Sequence, residues 1–451
     1  MSARPAPQPL YERLPPGPCN DPERVAASQL ERLCGAMAHG VATQGYEHVR
    51  VRGLCALAAV APNTLYKLFP GGTHECFLGA QEQALLCAGR GIAAAQSNAR
   101  EPSAQLRLAL EELARLVADR PQTAYLVLLE APHVSPQARE RSQRAQSACA
   151  QTLAQLLGCS PAHVSPIAPG VVAGVAHVTR KLLLADRANE LPQLAGGLAR
   201  WALNCGERAL AAPASAQRRQ APHAPAPAAG HAFAGFNQAP GDERSRLMGA
   251  AIELLGADDA QSLCLERLAE CALVPKRRVE VLFGGCRQCA LAAIGQGFAR
   301  LLDGVVLSGE DVSERERAQH VLAATLARLA ADRALARAAF VRLASLGREG
   351  VRLRESLIDS FARTLGPTTP ASASAEAALD ASAGAVWGAI EHSLGADSDP
   401  GAGPDARLPR TADLLCLLAS PASHDPRQRR LRDARHATRA RPASAPATVP
   451  A

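Results

Sequence analysis

An all-α chain made of two tandem copies of one unit is what this sequence predicts, and three observations carry that reading. Hydrophobic residues make up 47% of the 451 residues but aromatics only 3%, so Ala, Leu and Val, fillers that suit helices, must fill the interior. The chain repeats itself at an offset of 214 residues. A Pro/Ala/Gly-rich stretch without apolar periodicity lies where the two copies would join. The length is also too great for one ordinary core.

Residues 1–23, beginning "MSARPAPQPLYERLPPGP", show no helical pattern and are read as a disordered arm. They lack the apolar core of a signal peptide. The first unit is expected over 24–90, where Leu33, Ala36, Met37, Gly40 and Val41 recur at helical spacing. A short helix follows from Val51 to Ala58, then a tight turn over Ala59 to Ala61. A third helix is opened by Pro62, a residue favoured at the first helical position. "FPGG" ends that helix and Thr73 is positioned to cap the next. Two short helices joined by such a turn, over 50–69, form a helix-turn-helix pattern.

A larger helical region is expected over 91–212. The linker over 213–242 would reach tens of ångströms at roughly 3 Å per residue. The second copy then repeats the plan, with a degenerate three-helix unit over 243–300, its helix-turn-helix at 264–283, and a helical region over 301–420. Residues 421–451 are read as a disordered basic tail; its "HDPRQRRLRDARHATRARPASAPATVPA" carries seven Arg against two Asp without apolar periodicity.

The repeat is legible residue by residue. Arg32-Leu33 falls on Arg246-Leu247, Gly35-Ala36 on Gly249-Ala250, Leu54 on Leu268, Ala58 on Ala272, Val60 on Val274 and Leu68-Phe69 on Leu282-Phe283. "LARLVADR" from Leu113 returns as "LARLAADR" from Leu326, shifted by one, and "ELPQLAGGLARWAL" is echoed by "RLPRTADLLCLLAS".

Composition narrows the function classes. The net charge of +7 fits a nucleic-acid partner without requiring one. The 13 cysteines are scattered and odd in number, which fits a reduced, cytoplasmic protein. Cys264, Cys271, Cys286 and Cys289 cluster, but they are read as buried filler rather than a zinc or redox site. No metal or other cofactor is expected. "APGVVAGVAHVTRKLLLA" is interrupted by His177, Arg180 and Lys181, so no membrane partner is expected. No G-x-S-x-G, H-E-x-x-H, P-loop or dinucleotide glycine pattern occurs. Catalytic residues are therefore not expected, and an enzyme is the least supported class.

The segment "GYEHVRVRGLCALAAVAPNTLYKLFPGGTHECFL" resembles the DNA-binding domain of TetR/AcrR-type transcriptional regulators. The shared features are Gly45-Tyr46 before the second helix, the Ala-rich second helix, Thr64-Leu65-Tyr66 and Phe69-Pro70-Gly71. The resemblance implies that the third helix enters the major groove of double-stranded operator DNA. It also implies that the following helical region binds a small-molecule effector and dimerises, most often in a repressor. One chain with both heads would be an intramolecular pseudo-dimer, with further homodimerisation left open.

The DNA-facing set expected on the first copy is Arg50, Arg52, Pro62, Asn63, Thr64, Tyr66, Lys67 and Thr73. Asn63 suits an adenine edge, and Thr64 a base or a phosphate. Tyr66 matches the family's phosphate-contacting tyrosine; Lys67 and Arg50 add cations for the backbone. The bland alternative is that Tyr66 packs and the polar residues form a solvated face. Departures from the family pattern are Ala59 where Gly is common, Ala61 where a capping Ser is usual, and Thr73 for a basic residue. In the second copy Glu280 replaces the tyrosine, while Lys276, Arg277 and Arg278 supply cations; both a second reading head and a retired one remain open. Glu130 and His133, beside Pro132, are read either as ligand-recognising or as a water-exposed helix end. A competing overall reading is a helical ligand-binding or protein-interaction scaffold whose heads do not engage DNA.

Overall fold

The computed structural model describes residues 22–158, 167–211, 242–257, 263–303, 305, 314–365, 372–395, 408 and 411–418. The fold is all-α, with no strand among the described residues. Of the arm expected over 1–23, residues 1–21 lie outside the described residues, as do most of the linker and the basic tail, while Pro22 and Glu23 belong instead to the first helix.

The N-terminal half starts with α1 (Pro22–Gln44), α2 (Val51–Ala58), α3 (Pro62–Leu68) and α4 (Gly72–Gln96). Leu33, Ala36, Met37 and Val41 on α1 are fully buried, and they close on Leu54, Leu65, Phe69 and Phe77. Pro62 begins α3 as expected from its fixed φ. The cap of α4 differs from expectation. Thr73 lies inside the first turn, and Gly71 is the capping residue, its N–H donating to Glu75 Oε2 at 2.6 Å. A Glu reaching back to an orphan helix-end N–H does the work assigned to the threonine hydroxyl. Thr73 instead hydrogen-bonds the Tyr46 side chain, whose ring stands edge-on to Phe77.

The body of this half consists of α5 (Pro102–Asp119), α6 (Pro121–Tyr125), a π-helical turn (Leu126–Glu130), α7 (Ala131–Val134), α8 (Pro136–Leu156), α9 (Ile167–Leu184) and α10 (Leu191–Ala211). The C-terminal half begins with α11 (Glu243–Gly256), α12 (Leu265–Ala272), α13 (Lys276–Phe283) and α14 (Cys286–Leu302). Its body has α15 (Glu314–Ala331), α16 (Arg333–Arg337), a π-helical turn (Ala338–Arg342), a 3-10 turn (Leu343–Leu346), α17 (Arg348–Leu365), α18 (Ala373–Gly395) and α19 (Thr411–Leu417).

The two halves share unusual backbone details. Ala59 ends α2 at φ 52°, ψ 42°, and Leu273, 214 positions later, ends α12 at φ 53°, ψ 45°. Val60 N–H donates to the Cys55 carbonyl and Val274 N–H to the Ala269 carbonyl, each at 3.0 Å, so the same left-handed cap closes both helices. A π-helical turn follows the short α6 and α16 alike.

α9 and α18 cross in the middle of the molecule on small residues. A Cβ added at Gly174 would stand 2.3 Å from the Ala381 carbonyl oxygen, and one at Gly388 would stand 2.0 Å from Ala173 Cβ. Gly384 and Gly170 make further close approaches, 2.5 Å to His177 Cβ and 3.0 Å to the Ala385 carbonyl oxygen respectively. α10 and α19 flank the crossing, with Trp201 Nε1 donating to Ser382 Oγ at 3.0 Å and Leu414 and Leu417 buried. Ile167–Leu184 is long and apolar enough to cross a membrane, yet 67% of it is buried in this bundle and it carries the buried His177 and Arg180.

The cores divide unequally. The N-terminal head has its own apolar cluster, closed by Leu126, Ala131 and Ala138 from the body. The core of the C-terminal head runs without a break into the body and the central bundle.

The left-handed caps generate a stability prediction. A side chain in that conformation costs about 1–2 kcal/mol that glycine avoids, and Leu273 is 81% exposed, so it returns little by packing. Leu273→Gly is expected to stabilise the protein by about 1 kcal/mol after glycine's greater unfolded-state entropy is subtracted; the urea midpoint measures it.

Candidate nucleic-acid interface

The N-terminal head sorts the side chains of its third helix into a buried and an exposed set. Leu65 is fully buried and Phe69 nearly so, which anchors α3. Pro62, Asn63, Tyr66 and Lys67 are exposed, and Thr64 is half-buried at their edge. The Tyr66 ring leans towards Gly72, whose φ of +69° lets α4 start against it, and remains 50% exposed. Arg52 is exposed on α2. Arg50, the cap residue of α2, donates to the carbonyls of Glu47 (2.6 Å) and Val49 (3.2 Å), an attachment that leaves its other nitrogens to solvent. Asn63, Tyr66 and Lys67 along α3, with Arg50 and Arg52 at the start of α2, thus form the exposed polar side of the helix pair. It supplies amide, hydroxyl and cationic donors of the kinds that meet base edges and phosphates.

The equivalent surface of the C-terminal head has different chemistry. Lys276 pairs with Glu266 at 2.9 Å, and Arg278 with Glu243 at 2.6 Å. Both pairs are surface contacts that an incoming phosphate competes with, and such pairs are individually weak. Arg277 and Glu280 are exposed. Val281, which stands 214 positions after Lys67, is 64% exposed, and Leu273 is the most exposed large apolar residue described. The cations of this face are partly neutralised, and two aliphatic side chains occupy it.

The cysteines of this head do not all pack. Cys289 is buried and Cys264 and Cys286 are half-buried, but Cys271 is exposed. The register of α12 explains this: Leu268, Ala269 and Ala272 take the core-facing positions, which turns residue 271 outward.

Glu130 is buried and His133 half-buried rather than at a wet helix end, and they are joined to a residue that the sequence did not single out. Arg348, the first residue of α17, donates to Glu130 Oε1 at 2.7–2.8 Å. His133 Nε2 is 3.3 Å from Glu130 Oε2, which also accepts from the Tyr46 N–H at 3.3 Å. The same guanidinium donates to the Val41 carbonyl at 2.9 Å and lies 5.3 Å from the Tyr125 ring centre. Arg348 therefore ties the C-terminal body to α1, to the segment before α2 and to the π-helical turn. Arg287 stands 3.8 Å from Glu47, so the heads also approach each other directly. One signal for this junction was present in the sequence. An acid inside the apolar run "YLVLLEAPHV" needs a cation, and its counterpart Leu343 offers none.

Burial alone would raise the Glu130 carboxyl, but the hydrogen bonds and charges of His133 and Arg348 outweigh it and hold the group below the usual carboxylate range. Folded-state depression gives stability that is complete above the ordinary value near 4.5 and is lost as pH falls through the lower folded value. Arg348→Ala is expected to cost about 3 kcal/mol, because it strips the permanently charged partner from a buried carboxylate that keeps only His133 and one N–H. Glu130→Gln should flatten the acid limb of a stability–pH curve below pH 4.5, while Arg348→Ala should move acid unfolding to higher pH; denaturant melts across pH 2–7 test both.

No protein-family model matches the chain, and no curated protein sequence matches it. Among solved structures, a similar chain is the one described as "Structural analysis of fatty acid degradation regulator FadR from Bacillus halodurans", at 15% identity and a TM-score of 0.36 over 39% of this chain and 94% of that one. A likeness of that size carries no weight for fold or function.

Proposed function

We propose that the chain is a sequence-specific DNA-binding regulator of TetR type, a tandem duplication acting as a covalent pseudo-dimer and most simply as an effector-responsive repressor. The observation that carries the reading is the outward surface of the N-terminal helix-turn-helix. There Asn63, Tyr66, Lys67, Arg50 and Arg52 are exposed together on helices anchored by Leu65 and Phe69. The recurrence of the left-handed cap 214 residues later supports two heads in one chain. Arg348 supplies a route by which an effector in the body would move the N-terminal head, since a shift of α17 pulls on α1 and on the segment leading into α2. The operator is double-stranded DNA, and the effector is a small molecule of unassigned class.

A second reading applies to the C-terminal head. Its paired cations and its exposed Leu273 and Val281 favour a contact with protein over a contact with phosphate. On that reading the N-terminal head carries the sequence preference, and a scaffold role belongs to its partner.

Selection of binding sites from random duplex DNA, followed by footprinting, tests the proposal. Lys67→Ala should weaken binding evenly across sequences and lower the salt slope by about one unit. Asn63→Ala should cost about 1–3 kcal/mol at one base pair only. Replacing Lys276, Arg277 and Arg278 together by Ala should leave the preferred sequence unchanged. No protection at low salt would overturn the regulator reading in favour of the scaffold.

A further inference from the structure

We propose a divalent-cation site between the two halves, formed by His177 of α9, Asp359 of α17 and Asp380 of α18. One ligand atom from each of the three lies within 4.8 Å of the others. The residues come from both halves of the chain, so an ion held there would bridge the central bundle. The inference stands on its own, whether or not the heads read DNA.

The strongest support is the state in which His177 is held. The side chain is 1% exposed, and its Nδ1 pairs with Glu355 Oε2. Glu355 is in turn gripped by Arg180 Nε at 2.6 Å and Arg354 Nη1 at 3.0 Å. A carboxylate on Nδ1–H fixes the tautomer whose Nε2 carries a lone pair, which is how outer carboxylates orient metal-binding histidines. That Nε2 has no hydrogen-bond partner and faces Asp359 Oδ1 at 3.9 Å, an oxygen paired on its other side with Lys181 Nζ at 3.3 Å. A buried imidazole lone pair aimed at a carboxylate oxygen is repelled by it, and a cation between the two removes the conflict.

The place already draws positive charge. Lys181 Nζ lies 2.9 and 3.0 Å from the two Asp380 oxygens and 3.3 Å from Asp359 Oδ1. Its side chain is 37% exposed, so it has a path to water when an ion takes its place. Zinc holds nitrogen and oxygen ligands at about 2.0–2.2 Å, which puts neighbouring ligands roughly 3.3 Å apart in a tetrahedron. Closing the 3.9 Å gap by about half an ångström is within side-chain adjustment. One imidazole and two carboxylates, with water completing the shell, suit Zn²⁺ and its optical substitute Co²⁺. Among the described residues no second such group occurs, and 214 positions on, His177 becomes Glu391 and Lys181 becomes Gly395.

The competing account is an imidazolium wedged between Glu355 and Asp359, which needs no metal. Titration of the chelator-treated full chain with Co²⁺ and Zn²⁺ separates the two, read by calorimetry, visible absorption and thermal melting. The site predicts one equivalent bound, a Co²⁺ absorption band, and a chelator-reversible rise in Tm. Lys181→Met should bind about tenfold more tightly, since the competing ammonium is gone. His177→Gln and Asp380→Asn should lose the band. No saturable binding in either the parent or Lys181→Met would overturn the site, as would Co²⁺ binding that His177→Gln leaves unchanged.

Discussion

The crossing of α9 and α18 is the constraint on which the rest of the molecule depends. Gly170, Gly174, Gly384 and Gly388 bring the two backbones so close that a single Cβ would strike a carbonyl oxygen or a neighbouring side chain. Helices packed at this range have little freedom to slide, because interiors near crystalline density resist small shifts. Once α9 and α18 are fixed, α10 and α19 fill the flanks, and α17 is carried against α9 and the N-terminal half. The position of Arg348 under the N-terminal head follows from that placement.

Buried charge then selects one arrangement. Burial works against the ionised form of Glu355, but Arg180, His177 and Arg354 together hold its carboxyl well below the usual range. Such clusters return little net stability, because desolvation offsets attraction, yet breaking one leaves a charge without a partner. The cluster around Glu355 and the junction at Glu130 each join the two halves, so a different register of the bundle would strand both. Apolar packing sets how close the halves come, and these charges set their alignment.

Much of the helical plan was legible in the sequence. The period of Leu33, Ala36, Met37 and Val41, and the proline at position 62, reflect local physics that needs no knowledge of distant chain. The exposure of Asn63, Tyr66 and Lys67 was equally legible, because one short helix sorts its side chains by its own periodicity. Arg348 was not, since its partners are hundreds of residues away and nothing near it marks it among many arginines. The cap of α4 was misread because Thr73 and Glu75 both suit a helix start, and backbone geometry at Gly71 and Gly72 decided between them. Cys271 was misplaced for a similar reason: an Ala/Cys/Leu-rich helix gives few clues to which face is dry.

The unequal division of the cores has a consequence for how the molecule opens. A head closed on its own apolar cluster can come apart as a local unit, at a free energy below that of the whole molecule. A head whose core continues into the central bundle has no such seam and must wait for global unfolding. Amide hydrogens in α2 and α3 therefore exchange with solvent through a partial opening that α12 and α13 do not share. Two segments of near-identical backbone thus differ in how long they keep their protons, and the difference is set by what lies beneath them.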